Sequence, residues 1–379
     1  MRFFIFCSVV LMGFWGESQH RLVIQNVRLF DGVKVEEKVS IEIVQGHFQR
    51  IGARPLETSD STHTIDGTGK TILPGLINAH VHVWSKSQLK LALRAGVFAV
   101  LDMHSPENLI GKLREPGLTY KYAAYYSAGY AATAKGGHGT QYGYEVPYIG
   151  PEMTPEAFVR DRKTNHSDYV KIIYEPVRRT LSLDQIERII RESHKQDLMA
   201  VAHISNLRNA LEIAPLGIDA LVHVWDDEVI SRQQVRALKQ SGLFIVPTLA
   251  VHEQVKKYYT ENGIKNKMLD LSDLCENVRR LHKARVPILA GTDPPNLGIN
   301  YGSSIYRELE LLAQSGLSDL EALKAATSNP ATYFSLENLG FIKEGYRANF
   351  ILIDGDPTTN VSDIRKLDSV WIDGQKINQ

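Results

Sequence analysis

Six side chains in this 379-residue sequence could hold a divalent cation or move a proton beside one. They are His80 and His82 in "HVH", Lys171 in "VKI", His203 in "VAHI", His223 in "LVHV" and Asp293 in "AGTDPP". His80 and His82 are two apart in an apolar run, so on a strand both imidazoles point to one face, a suitable start for a divalent site. Each signal is weak alone. A lone histidine ending a strand is ordinarily a hydrogen-bonded core residue, a lysine is ordinarily a surface charge, and an aspartate before two prolines ordinarily serves a turn or cap. Their meaning depends on the elements that position them.

After Arg21 the chain opens with "RLVIQNVRLFDG" and "VSIEIVQGHFQRIG", and it closes with "RANFILIDGD" and "DSVWIDGQKI". These are β-branched runs closed by glycine, the pattern of antiparallel strands. From about Ile72 to Phe334 short apolar runs alternate with helical patterns. The spacing predicts strands over 73–82, 97–103, 122–129, 169–174, 199–204, 220–224, 244–249 and 286–292. In "SLDQIERIIRESHKQ" the apolar Leu183, Ile186, Ile189 and Ile190 share a helical face. Alternation of this kind argues for a parallel sheet, and eight strands argue for closure into a barrel; an open doubly wound sheet is the alternative. The expected fold is α/β: a (β/α)8 TIM barrel over 73–339, with a small β-sandwich domain built from 19–72 and 340–379. On such a barrel the six candidates sit at strand C-termini around one mouth, where these folds place catalysis. The longest interruption, 131–151, contains Gly136, Gly137 and Gly139, which let backbone approach a ligand. Thr154 and Pro155 after it read as an N-cap and first-turn pair.

Lys+Arg and Asp+Glu both number 43, so the formal charge is zero. That balance offers nucleic acid no basic footprint, and no Lys/Arg run suits an anionic membrane. Met1-Arg2, the apolar stretch 3–15 and Gly16-Glu17-Ser18 read as a signal peptide over 1–18. The expectation is an exported protein, periplasmic or secreted, with no stable membrane anchor after cleavage. Cys7 would leave with that segment. Cys275, in the helical "LSDLCENVRRLHKA", would then be the sole thiol and a packed apolar residue, so no internal disulfide is expected.

"LPGLINAHVHVW", "VKI", "VAHI", "LVHV" and "AGTDPP" resemble the amidohydrolase superfamily in its binuclear form, as do "AATSNPATYF" and "LGFIKEGYRANFILIDGDP". The resemblance covers nearly the whole chain after residue 20 and is closest to the imidazolonepropionase and Xaa-Pro dipeptidase-like branch. It implies two divalent metal ions, zinc first. His80, His82 and Asp293 would bind the more buried ion, and His203 and His223 the more exposed one. Lys171 would be carboxylated and bridge them, since a free ammonium offers no lone pair. It implies hydrolysis of a C–N (amide) bond in a small molecule, a dipeptide or N-acyl amino acid fitting that branch. A metal-bridging hydroxide would attack, with Asp293 as general acid and base. A lactonase or phosphotriesterase-like ester hydrolase, a mononuclear deaminase and a non-catalytic binding protein remain alternatives, and a homo-oligomer is left open. One departure matters. Some relatives place a carbonyl-polarising tyrosine two residues after the fifth-strand histidine, where this chain has Ser205. His138 and Tyr174 are the candidates for that role, His252 could face the mouth, Trp84 could wall the pocket, and Arg178 or Arg179 could pair with a substrate carboxylate.

Overall fold

The computed structural model describes residues 21–59, 62–115 and 117–378; the expected signal segment lies outside them. The chain begins with β1 (Arg21–Phe30), β2 (Val35–Val44), β3 (His47–Gly52), β4 (His63–Asp66) and β5 (Lys70–Leu73). Gln45 and Gly46 between β2 and β3 both hold positive φ, 49° and 76°, the requirement of a two-residue hairpin.

The run expected as one strand over 73–82 is split, because β6 (Leu76–Val81) separates from β5. Pro74 has no N–H for a ladder. At Gly75 an added Cβ would fall 2.0 Å from the Phe98 ring, so only glycine fits. The chain then alternates as the pattern predicts: α1 (Lys86–Arg94), β7 (Val97–Asp102), α2 (Glu107–Leu113), β8 (Ala124–Ser127), α3 (Pro155–Thr164), β9 (Val170–Ile173), α4 (Leu183–Lys195), β10 (Ala200–His203), α5 (Leu207–Ile213), β11 (Ala220–Val222), α6 (Arg232–Gln240), β12 (Phe244–Val246) and α7 (Leu249–Glu261). Then come α8 (Leu271–Lys283), α9 (Ser304–Gln314), α10 (Asp319–Ala325), α11 (Ser328–Tyr333), β13 (Phe350–Asp354), β14 (Leu367–Ile372) and β15 (Gln375–Lys376). Local causes are visible at the helix starts. Thr154 accepts from Ala157 N at 3.2 Å with Pro155 in the first turn of α3. Ser182 and Gln185 form a capping box on α4. That helix buries Ile186, Ile189 and Ile190, each worth about 1.5–3 kcal/mol relative to exposure. Cys275 is buried within α8, as expected.

Two parallel sheets result, β6-β7-β8 and β9-β10-β11-β12. They meet where Asp168 N donates to Ser127 O (2.9 Å) and Ala132 bridges Ile172. The eighth expected strand, 286–292, makes one bridge, Ile245 to Ile288, and is not a ladder strand; Pro287 cannot donate. Its backbone still spans the outer edges. Leu289 N donates to Ile245 O and Ala79 N to Ala290 O, each at 2.9 Å.

Strands from both termini form one sheet, β15-β14-β13-β5-β1-β2-β3, with β4 on β1. Instead of two sheets in a sandwich, a single sheet folds over its own apolar face. Register shifts between Ile24 and Val27 bend β1, and Phe48 of β3 meets Phe350 of β13 with ring centroids 6.0 Å apart. Strand β13 alternates: Phe350 and Leu352 fill this sheet's own core, whereas Ile351 and Ile353 join the main core.

Candidate metal and active site

Five of the six expected residues stand at or just beyond a parallel strand, and Asp293 stands beyond the single-bridge segment. His80 lies in β6 and His82 follows it, Lys171 is in β9, His203 ends β10, His223 follows β11 and Asp293 follows the 286–290 segment. They converge. Potential ligand atoms of His80, His82 and Asp293 all lie within 4.8 Å of one another. Ring centroids are 5.4 Å apart for His80–His82, and 4.8 Å for both His80–His223 and His203–His223. Asp293 is tied to the first pair through backbone, its N–H donating to His80 O at 2.8 Å. Buried Asn78 reinforces the link, donating to Thr292 Oγ1 (2.7 Å) and accepting from Thr292 N (3.1 Å).

The surroundings prepare these groups as ligands. His82 Nδ1 contacts His104 O at 3.2 Å and His223 Nδ1 contacts Thr248 Oγ1 at 2.7 Å. With Nδ1–H as donor, each Nε2 keeps its lone pair for a cation. Burial, then the charge of Lys171, pushes His80 well below the usual imidazole range; burial and neighbouring His203 do the same to His223. Neutral imidazole is the ligating form. At His82 burial also lowers the pKa, but Asp293 outweighs it and the net direction is up. Asp293 Oδ1 lies 3.0 Å from His82 Nε2 and 3.4 Å from His80 Nε2, yet makes no aligned hydrogen bond. Lys171 Nζ and His203 Nε2 are also buried without a partner. Buried polar atoms are normally satisfied. A convergent set left open in this way fits divalent cations, which the nitrogen and carboxylate donors suit. Burial brings Lys171 down to about 7.

Three of the strand ends hold non-glycine residues at positive φ: His223 at 70°, Thr248 at 52° and Asp293 at 59°. Such backbone costs about 1–3 kcal/mol per residue and clusters where side chains must be aimed. Thr248 occupies the N-cap position of α7 but does not cap it. Its hydroxyl holds His223 instead. The helix start is satisfied from α9, where buried Glu308 accepts from Leu249 N (3.1 Å) and Ala250 N (2.7 Å).

A cavity of about 300 Å³ opens over the six residues. His138 and His252 line it too. The His138 ring stacks on His203 at 4.8 Å, and burial lowers His138 and His252 to about 4. A larger hollow of about 930 Å³ lies over the terminal sheet and contains none of these groups. Other expectations are corrected. Tyr174 does not line the cavity, because its hydroxyl donates to Glu212 at 2.6 Å on the far side of the strand end. Arg178 and Arg179 are exposed and also lie outside the lining. Trp84 stands beside His82, ring centroids 6.5 Å apart, and does not wall the cavity. Sequence reasoning missed His104, which lines the cavity and lies two residues beyond β7 in "LDMHSP". It also missed Asp102, a fully buried carboxylate that accepts from Val83 N, His104 N, Ser105 Oγ and Tyr125 OH. Nothing local marks Glu308.

The amidohydrolase family matches this chain over residues 71–377. Among curated proteins it is similar to a 5-methylthioadenosine/S-adenosylhomocysteine deaminase of Dictyoglomus turgidum, 23% identical over 88% of this chain and 85% of that protein. An adenine deaminase of Clostridium perfringens is 26% identical over 92% of this chain, which spans only 58% of that longer protein. Among solved structures, a Xaa-Pro dipeptidase with methionine in its active site superposes with a TM-score of 0.77. It is 20% identical, and 95% of this chain and 100% of that one are covered. That likeness is one of fold.

Proposed function

The chain belongs to the amidohydrolase family and is a hydrolase acting on C–N bonds, and from that premise we propose that it cleaves the amide of a dipeptide or N-acyl amino acid. The observation carrying this reading is the convergence of six candidate ligand groups, all but His82 unsatisfied or held neutral, on one small cavity. In this reading the eight parallel segments are a closed (β/α)8 barrel over 73–339, beside a composite β domain of 19–72 and 340–379.

His80, His82 and Asp293 would hold one divalent ion and His203 and His223 a second. Lys171, carboxylated, would bridge them; its lowered pKa supports this, since the neutral amine is the form that adds carbon dioxide. Zinc suits the donor set first. Bound ions would supply Lewis acidity toward water and the scissile carbonyl. Asp293 takes the proton from the attacking water and returns it to the leaving amine. Asn296 fixes that carboxylate by donating to Oδ2 at 2.8 Å. His138 would donate to the carbonyl oxygen, since it faces the cavity beside His203 and burial keeps it neutral.

The names of the curated relatives favour a second reading, deamination of an aminopurine. Both readings are decided by one experiment. Purified protein loaded with zinc or manganese is screened against dipeptides, N-acyl amino acids, adenine and adenine nucleosides, with elemental analysis of the same sample. Amide hydrolysis with about two ions per chain supports the first reading. Turnover of purines alone overturns it in favour of the second, and a fully active Lys171→Ala variant overturns the bridging role. Export to the periplasm or beyond the cell is proposed from the N-terminal pattern, and the intact mass of native protein, starting near Gln19, checks it.

A further inference from the structure

The cavity's charge is one-sided away from its floor. Glu175, just beyond β9, and Asp226, three residues past His223, both line it. Among the described residues Lys171, on the floor, is the sole lysine or arginine in the lining. Glu175 is buried, with 7% of its surface exposed; Val177 N donates to it at 3.2 Å, and its Oε2 lies 3.6 Å from His203 Nε2 without a hydrogen bond between them. Asp226 is anchored through backbone, its N–H donating to Ser205 O and its carbonyl accepting from Leu269 N. Among the described residues its carboxylate makes no salt bridge. Lys256, the cation that acts on it, is engaged by Asp270 (3.1 Å) and Met268 O (2.8 Å). Two carboxylates facing one confined space repel each other, and among the described residues no lysine or arginine beyond the floor lines that space.

A second feature of the same cavity points to a ligand. His252 Nε2 is sealed from solvent, has no partner and faces the cavity. Val255, Tyr259 and Met268 complete this wall, which suits the alkyl stem of a long amine and gives a cation an aromatic neighbour. Arg178, expected to meet a substrate carboxylate, is exposed and outside the lining. We propose that Glu175 and Asp226 form a subsite for an organic cation, so that the substrate is an amide bearing an alkylammonium or guanidinium group. The substrate class rests on the amide reading above; the subsite does not.

The test uses metal-loaded full chain and dipeptides that differ only in one side chain: lysine, norleucine or glutamate, at either position. Lysine should exceed norleucine in kcat/KM by about tenfold or more at one position, the size of a charged hydrogen bond, with glutamate poorest. Asp226→Asn should shrink the lysine-to-norleucine ratio several-fold, mainly through KM, and Asp226→Lys should reverse the lysine-to-glutamate order. Norleucine matching lysine at both positions overturns the inference while leaving amide hydrolysis intact, and so does a ratio indifferent to Asp226→Asn. Wild-type rates alone are sufficient should a variant not fold. If no amide is turned over, calorimetry with n-butylammonium and with butanoate decides. Ammonium binding that Asp226→Asn abolishes sustains the subsite without the amide reading, and no preference for ammonium removes it.

Discussion

At the scale of single residues, Asp293 has the most demanding assignment. It must face a cation and pass a proton, and an amide can do only the first. Asp293→Asn keeps the size and one ligand oxygen but removes the basic site. The expected outcome is a fall in kcat of at least about a hundredfold, the size of a lost general acid–base. Metal content by elemental analysis should stay near wild type, because His80 and His82 still surround the position. Near-normal turnover would assign the proton transfer to another group. The six residues were legible only as a set: each signal is weak alone, but together they fall at the ends of successive expected strands around one mouth. Tyr174 was not legible, because its side-chain direction depends on Glu212, 38 residues away.

At the scale of elements, the start of α7 shows two helices and a strand end sharing one task. Thr248 gives up its capping role to hold His223, and Glu308 from α9 replaces it. Thr248→Val keeps the branched shape and removes the hydroxyl. Affinity for the more weakly held ion, measured by chelator competition, should drop about 10–100-fold, as expected when a ligand's outer hydrogen bond is lost. Thr248→Ser should restore it; an unchanged affinity would make the contact incidental.

Glu308 also carries a pH signature. Burial raises it from 4.5 to about 8, although Ala250 N and Leu249 N donate to it. The folded chain therefore holds this proton more tightly than the unfolded chain. That contribution to stability is complete below about 4.5 and is lost as pH climbs through about 8. Between about pH 5 and 8 the melting temperature of the wild type should fall more steeply than that of Glu308→Gln, which has no proton to lose. Parallel curves would contradict the assignment.

Across the whole molecule, two apolar cores share the terminal sheet. Phe350 belongs to the smaller one, is fully buried and stacks on Trp371 with centroids 5.4 Å apart. Phe350→Ala should cost about 3–5 kcal/mol in denaturant unfolding. Below its new transition the variant should keep wild-type metal content and kcat, because none of the six candidate residues touches that core. Loss of metal would show that the sheet props the site directly. No described helix is long and apolar enough to cross a membrane.

The sequence alone determined the alternation of strands and helices, the identity of the six candidate ligands and the gathering of both termini into β structure. These follow from local periodicity and residue chemistry, which act within a few positions along the chain. Tertiary structure decided what depends on distant partners. The Phe98 ring lies where a Cβ of residue 75 would stand, so the break between β5 and β6 admits only glycine there. Phe48 meeting Phe350 turns an expected sandwich into one folded sheet. Past a strand's end nothing periodic constrains a side chain, so only packing could set Tyr174 and Arg178 outside the cavity and bring His104, Glu175 and Asp226 into it.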